Sequence, residues 1–159
     1  ISMIPDEGQS KSYKIPISVL VVVYTGDLEI LLLERADREG FWQSVTGSCE
    51  LNETLFETAT RELMEETGIN VDEHHLVDWN RSNEFEIFNH WRGRYAPGVT
   101  HNMEHAFGLF VPGRVSIKIS PQEHVKFEWV RIEEAIDRVF SWTNVDALRF
   151  LLKNRSSLC

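Results

Sequence analysis

The sequence predicts an α/β chain in which a mixed β-sheet is sandwiched between helices. Three observations carry this. Several runs are rich in β-branched and aromatic residues, Ile15 to Tyr24 being the longest. Only three segments have helical spacing, and they interleave with the strands. The 159 residues, 42% hydrophobic and 26% charged, have the balance of a globular chain of one domain.

Residues 1–13 are polar and read as a loose arm, followed by one domain over 14–154 and a tail at 155–159. Ile15 to Tyr24 and Leu28 to Glu34 flank the turn signal Thr25-Gly26-Asp27 and read as a hairpin. Phe41 to Thr46 is a short strand leading into Gly47. Asn52 reads as the N-cap of a helix running to Thr67, with Glu53 and Glu57 at the positive end of its dipole. Gly68 suits the left-handed position that ends such a helix. Leu76 to Trp79, Asn83 to Phe88, His105 to Val111, Val115 to Ile119 and Phe127 to Val130 read as strands. His90 to Met103 reads as a loop, and Ile132 to Phe140 and Val145 to Lys153 as helices.

The net charge of -9 and the lack of a basic stripe argue against a nucleic-acid partner. The longest apolar run, Ile17 to Tyr24, is far shorter than the roughly 20 residues of a membrane span. No signal-peptide pattern is visible. Cys49 and Cys159 form no disulfide framework and read as free thiols in a reducing cytoplasm. No apolar stripe is left over, so a monomer or weak homo-oligomer is expected.

The chemistry concentrates between Gly47 and Ile69. On a helix of about 100° per residue, Glu62, Glu65 and Glu66 fall within an arc of about 100°. Phe56, Ala59 and Leu63 form the adjacent core-facing stripe, placing Glu66 on its shoulder. Arg61 is spaced to form an i, i+4 ladder with Glu57 and Glu65, leaving Glu62 and Glu66 uncompensated. A solvated acidic face is the commoner meaning of such pairs. A hard divalent cation with oxygen ligands would offset the repulsion, Mg²⁺ being the usual one that also brings a substrate phosphate. The segment from residue 47 to 69 holds six acids and one base, more than half of the chain's net negative charge.

Gly47, five residues, Glu53, seven residues, Arg61-Glu62-Leu63, Met64, Glu65-Glu66, Thr67 and Gly68-Ile69 match every position of the Nudix box. The chain thus resembles the Nudix hydrolases. The resemblance implies their fold, with a loop–helix–loop catalytic element. It also implies Mg²⁺-dependent cleavage of a nucleoside diphosphate linked to another group, with Mn²⁺ as a possible substitute. It makes Glu62 and Glu66 the principal metal ligands, joined by Glu65 and the Gly47 carbonyl. Arg61, Glu62, Glu65 and Glu66 form its catalytic set; the general base differs among these enzymes and stays open.

Further segments resemble one branch of the family: Lys14-Ile15-Pro16, Phe41 to Ser48, Glu84 to Phe88, and Arg94 to Thr100 followed by Asn102. That branch releases pyrophosphate from dihydroneopterin triphosphate, leaving the monophosphate, in folate synthesis. Carried over position by position, the resemblance gives Lys14 and Arg35 phosphate contacts and Thr46 a hydrogen bond to substrate. Phe85, Glu86, Ile87 and Phe88 would line the ring pocket, Ser141 would close it, and Glu123 would be a distant metal ligand. On a strand, 85 and 87 share one face and 86 and 88 the other, so one phenylalanine is expected in the core. Trp129 reads as core. Arg92 and Arg94 are candidates for the triphosphate tail or a partner surface. His101, His105 and His124 lack a metal-site spacing and are read as structural.

Three functions compete: pterin triphosphate hydrolysis with some activity on (d)NTPs, a general nucleoside triphosphate pyrophosphohydrolase that sanitises the nucleotide pool, and a non-catalytic ligand-binding Nudix module. The last commonly loses box glutamates, and here none is lost.

Overall fold

The computed structural model describes residues 12–73 and 75–159, so the predicted arm lies outside the described residues as far as residue 11. Strand β1 (Ile17–Thr25) turns at Gly26 to Leu28 into β2 (Glu29–Arg35). The two pair only at Tyr24 and Ile30, then part. The short strands β3 (Trp42–Gln43) and β4 (Val45–Ser48) fill the fork, β3 bonding β2 and β4 bonding β1. Strand β6 (His101–Val111) lies parallel to β1, and β5 (His75–Glu86) antiparallel to β6. Strand β7 (His124–Arg131) covers the other edge of β2. The sheet is therefore mixed, as predicted.

Alternation along β1 and β2 gives the sheet two apolar faces. Val19, Val21, Val23, Leu31 and Leu33 pack with Phe107 and Leu109 beneath Ala59 and Leu63 of helix α1 (Leu55–Thr67). Leu20, Val22, Ile30 and Leu32 pack with Trp79 beneath α2 (Ile132–Arg138) and α3 (Trp142–Lys153), through Ile132, Ala135, Ala147, Leu148 and Leu151. Burial of such side chains contributes roughly 1.5–3 kcal/mol each before entropy is counted. A last helical turn, α4 (Arg155–Leu158), docks through the Tyr24 hydroxyl, which donates to the Leu158 carbonyl at 2.8 Å. Trp129 is half-buried against the α1-side core, as expected. No helix among the described residues is long and apolar enough to cross a membrane. Both cysteines are free thiols.

Several local expectations need correction. The N-cap of α1 is Thr54, not Asn52: Thr54 and Glu57 form a reciprocal capping box, while Asn52 adopts a left-handed φ of 66° in the preceding turn. Phe56 is 50% exposed, because the buried arc of α1 includes Thr58, Glu62 and Glu66 and is thus rotated toward the glutamates. The strand from Phe41 to Thr46 is broken at Ser44, where the chain passes from β2 to β1. The two strands between Leu76 and Phe88 are one strand, β5, carrying a bulge between Asp78 and Arg81. The expected loop His90 to Met103 contains a 3₁₀ turn, Asn89–Arg94, and the start of β6. Val115 to Ile119 forms no ladder. Val115, Ile117 and Ile119 still lie against the α1-side core, and the Lys118 amide donates to the Thr67 carbonyl at 2.8 Å. Helix α2 stops at Arg138, where Val139 turns extended and bridges to Trp42. Helix α3 begins three residues earlier than predicted, because the Ser141 hydroxyl caps it by accepting from the Asn144 amide. The predicted termination of α1 at Gly68 holds, with φ at 76°.

Candidate active site

Helix α1 is held against β4 by a tight approach. A Cβ on Gly47 would lie 2.0 Å from the Glu62 carboxyl, so glycine is required here for space. Glu62 and Glu66 are 7% and 2% exposed and hydrogen-bond to each other. Burial raises both carboxyls above the ordinary range, Glu66 well above it, and the mutual interaction adds to the shift of Glu66.

Arg61 does not form the expected ladder with Glu57, whose carboxylate accepts from the Thr54 amide. Its guanidinium instead donates to Glu53 at 2.7 and 2.8 Å, to the Ser48 carbonyl at 3.0 Å, and to Glu62 at 3.0 Å and Glu65 at 3.3 Å. Glu62 is therefore compensated in part. The Arg61 hydrogen bonds, before all else, hold the Glu53 carboxyl down at about 2. Arg61 ties the box's loop, helix and strand into one unit.

Two cavities meet at this element. The larger, about 780 Å³, is a charged cleft lined by Glu62, Glu66, Glu123, Gly47 and Arg61. Glu65 lies outside it, exposed against Arg61. Glu123 sits in a turn ahead of β7, with its carbonyl accepting from the Ala36 amide at 2.9 Å. The smaller, about 190 Å³, is walled by Phe85, Ile87, Phe88, Trp91 and Phe140, with Glu86 and Ser141 also lining it. Lys14, Arg35, Gln43, Thr46, Gly47, Ser48 and Arg94 border both.

The shared rim is cationic. Arg35 and Arg94 converge on Asp37, Arg35 through two bonds of 2.8 Å and Arg94 through one of 3.1 Å. They hold the Asp37 carboxyl far below the usual carboxylate range. Arg35 also stacks over Trp91, 4.3 Å from the ring centroid. Lys14 is exposed as a residue, yet its ammonium is pushed below the ordinary lysine range, first by desolvation and then by Arg94 and Arg35. Such a crowd of positive groups suits a polyanion.

In the aromatic pocket, Ile87 is buried, Phe85 half-buried and Phe88 42% exposed, so neither phenylalanine is the expected core residue. Beyond Glu86 the chain leaves the strand, and its period of two ends there. Phe88 stacks on Trp91 at 5.3 Å and 15°. The Glu86 carboxylate pairs with Arg92 at the exposed rim. Arg92 borders neither of these cavities, since its Nε donates back to the Ile87 carbonyl.

Residues to which sequence reasoning gave no functional role enter here. His124, read as structural, is buried in the cleft, 3.9 Å from Glu66 and 3.2 Å from the Gln43 amide nitrogen. Burial pushes its pKa down to about 4, so it is neutral. Asn144 accepts from the Ser44 amide and donates to its hydroxyl, pinning α3 to the β3–β4 junction. Asn102 and Glu104 are buried in the aromatic pocket. The available signal was an acid in the otherwise apolar run of β6, with an amide two residues before it.

The residues fit a divalent cation. Glu66 Oε1 is buried with no hydrogen-bond partner, Gly47 leaves room for Glu62, and two buried carboxyls lie together where a cation would offset their repulsion. No three His, Cys, Asp or Glu residues converge as a closed cage among the described residues. That is the expected arrangement for Mg²⁺, which is usually held by one or two carboxylates together with substrate phosphates and water.

The chain belongs to the NUDIX family: the NUDIX domain model matches residues 14–150. The family is typically dependent on divalent metals. Within it, the chain is 43% identical over 149 residues to the dihydroneopterin triphosphate diphosphatase of Escherichia coli K12, covering 92% of this chain and 98% of that protein. It is 44% identical over 145 residues to the enzyme of the same name from Haemophilus influenzae, covering 89% and 90%. The solved structure of the E. coli dihydroneopterin triphosphate pyrophosphohydrolase superposes with a TM-score of 0.85 at 44% identity, covering 91% of this chain and 99% of that one.

Proposed function

We propose that this protein hydrolyses dihydroneopterin triphosphate to the monophosphate and pyrophosphate, using Mg²⁺, with Mn²⁺ as a substitute. The observation that carries this is the junction of the two cavities. A ligand with a flat ring at one end and a polyphosphate at the other spans the aromatic pocket, the cationic rim and the carboxylate cleft in that order. The similarity to the two bacterial enzymes supports the pterin as the ring.

Glu62 and Glu66 hold the cation, with Glu123 and the Gly47 carbonyl positioned in the same cleft to assist. When bound, the cation supplies neutralisation of charge developing on the phosphate oxygens and acidification of water. Lys14, Arg35 and Arg94 hold and orient the phosphates, and Thr46 borders both cavities where the chain meets the ring. Arg61 fixes Glu53, Glu62 and Glu65 in place. The aromatic walls stack the ring.

The test is kcat/KM for dihydroneopterin triphosphate against dATP, dGTP and 8-oxo-dGTP, read as pyrophosphate released. The pterin substrate should lead. A preference of about tenfold or more for any nucleotide, roughly 1.4 kcal/mol of differential transition-state binding, replaces it with a nucleotide-pool function. That second reading is favoured by the aromatic walls, which would stack a purine as well as a pterin.

A further inference from the structure

The aromatic walls explain how a flat ring is held but not how one ring is told from another. Along β6, Asn102 and Glu104 project to the same face, two residues apart, where the α3-side core gives way to the pocket. Glu104 is 8% exposed, and Thr143 at the start of α3 supplies its hydrogen bond. No positive charge among the described residues offsets it. Asn102 donates to the Ser18 hydroxyl at 2.8 Å, and its Oδ1 is buried with no partner. The Asn102 oxygen thus lacks a donor, and beside it the Glu104 carboxyl has Thr143 as a partner and no counter-charge. Leaving buried polar groups unpaired is costly, so the arrangement is one that a ligand completes. The other carboxylate of the pocket, Glu86, is exposed and already paired with Arg92.

We propose that Glu104 determines ring specificity by accepting the adjacent ring N–H and exocyclic amino N–H of a 2-amino-4-oxopyrimidine ring, the edge that pterins and guanine share. This rests on the substrate reading above and names the residue that reads the ring. A carboxylate offers only acceptors, so it matches two neighbouring donors and mismatches the ring-nitrogen acceptor on the corresponding edge of adenine. Burial raises the Glu104 carboxyl to about 7, so donors arriving with the ligand are what hold it ionised in an apolar-walled site.

The test compares kcat/KM for dGTP, dITP and dATP in the wild type and in Glu104→Gln. dITP differs from dGTP by the missing 2-amino group. The wild type should favour dGTP over dITP by about tenfold or more, the loss expected for one hydrogen bond to a charged group. Glu104→Gln should close that gap and lower dGTP turnover while dATP turnover stays level or rises. Binding of 7,8-dihydroneopterin, which carries no phosphate and needs no cation, should weaken about tenfold or more in the variant, followed by its fluorescence. An equal fall for all three nucleotides, or an unchanged dGTP-to-dITP ratio, overturns the proposal. Where Glu104→Gln does not fold, the wild-type ratio decides: equal rates for dGTP and dITP overturn it. A wild type that prefers nucleotides to the pterin triphosphate overturns the substrate reading instead, and the dGTP-to-dITP ratio still judges Glu104.

Discussion

The carboxylate cleft and the aromatic pocket share Gly47, Thr46 and three cations at their rim, yet they are built in opposite ways. In the cleft, Glu62, Glu66 and Arg61 come from little more than one turn of one helix and Gly47 from the strand just before it, with Glu123 and His124 joining from the turn into β7. In the pocket, the walls come from the end of β5, the 3₁₀ turn after it, β6 and the start of α3, nearly sixty residues apart at the extremes. The carboxylate pair of the cleft is a local device for charge, and the pocket is an assembled device for shape. Chemistry common to a family can therefore stay on one short segment while ring preference is set elsewhere.

The difference can be broken from the cleft side first. Glu66→Gln should lower cation-dependent pyrophosphate release by about a thousandfold, comparable to losing a principal electrostatic group. Its melting temperature should not fall, since the change removes a buried carboxyl already pushed toward its neutral form. A variant retaining more than a tenth of wild-type turnover would place the cation elsewhere. Gly47→Ala drives a methyl into the Glu62 carboxyl, and the resulting shift of α1 against β4 should cost about a hundredfold in kcat. Binding of 7,8-dihydroneopterin should weaken far less than kcat falls, because Gly47 touches the aromatic pocket only at the shared rim, and an equal loss would show that the cavities do not work separately.

Trp91→Ala sharpens the same contrast from the pocket side. It removes a wall that stacks on Phe88 and carries Arg35. KM for the pterin triphosphate should rise about tenfold with kcat kept, matching one aromatic contact plus its share of burial. A fall in kcat with KM unchanged would assign Trp91 to the phosphates through Arg35. The smallest effect belongs to Thr54→Ala, which deletes the capping box at the far end of α1. It should cost about 1 kcal/mol, or roughly 2–4 °C in Tm, without altering substrate choice. Thermal melts and the dGTP-to-pterin kcat/KM ratio check both parts.

Legibility in the sequence followed the same division. The strands β1 and β2 were readable because continuous β-branched and aliphatic runs are a local pattern, and the glutamate array because helical spacing puts Glu62 and Glu66 together. The Thr54 cap was also written locally, as Thr54-x-x-Glu57, but Asn52 offered a competing cap that the backbone rejects in favour of a left-handed turn. Arg61 was misread for a different reason. Its i, i+4 spacing to Glu57 is real, but Glu57 is already engaged by the cap, and Glu53 and the Ser48 carbonyl are reachable only once the loop folds back. Val115 to Ile119 has the alternation of a strand without the partner that would make it one.

By itself the sequence determined what depends on near neighbours: the strand-forming runs, the end of α1 at Gly68, the excess of acid between 47 and 69, and the family box in which that acid lies. Only the tertiary structure decided what depends on desolvation and long-range approach. Burial pushed the Glu62 and Glu66 carboxyls up, buried His124 as a neutral ring beside them, and left Glu104 without a counter-charge in an apolar-walled pocket. A carboxylate's environment is made by residues from distant parts of the chain, and the free energy of desolvating it exists only after those parts have met.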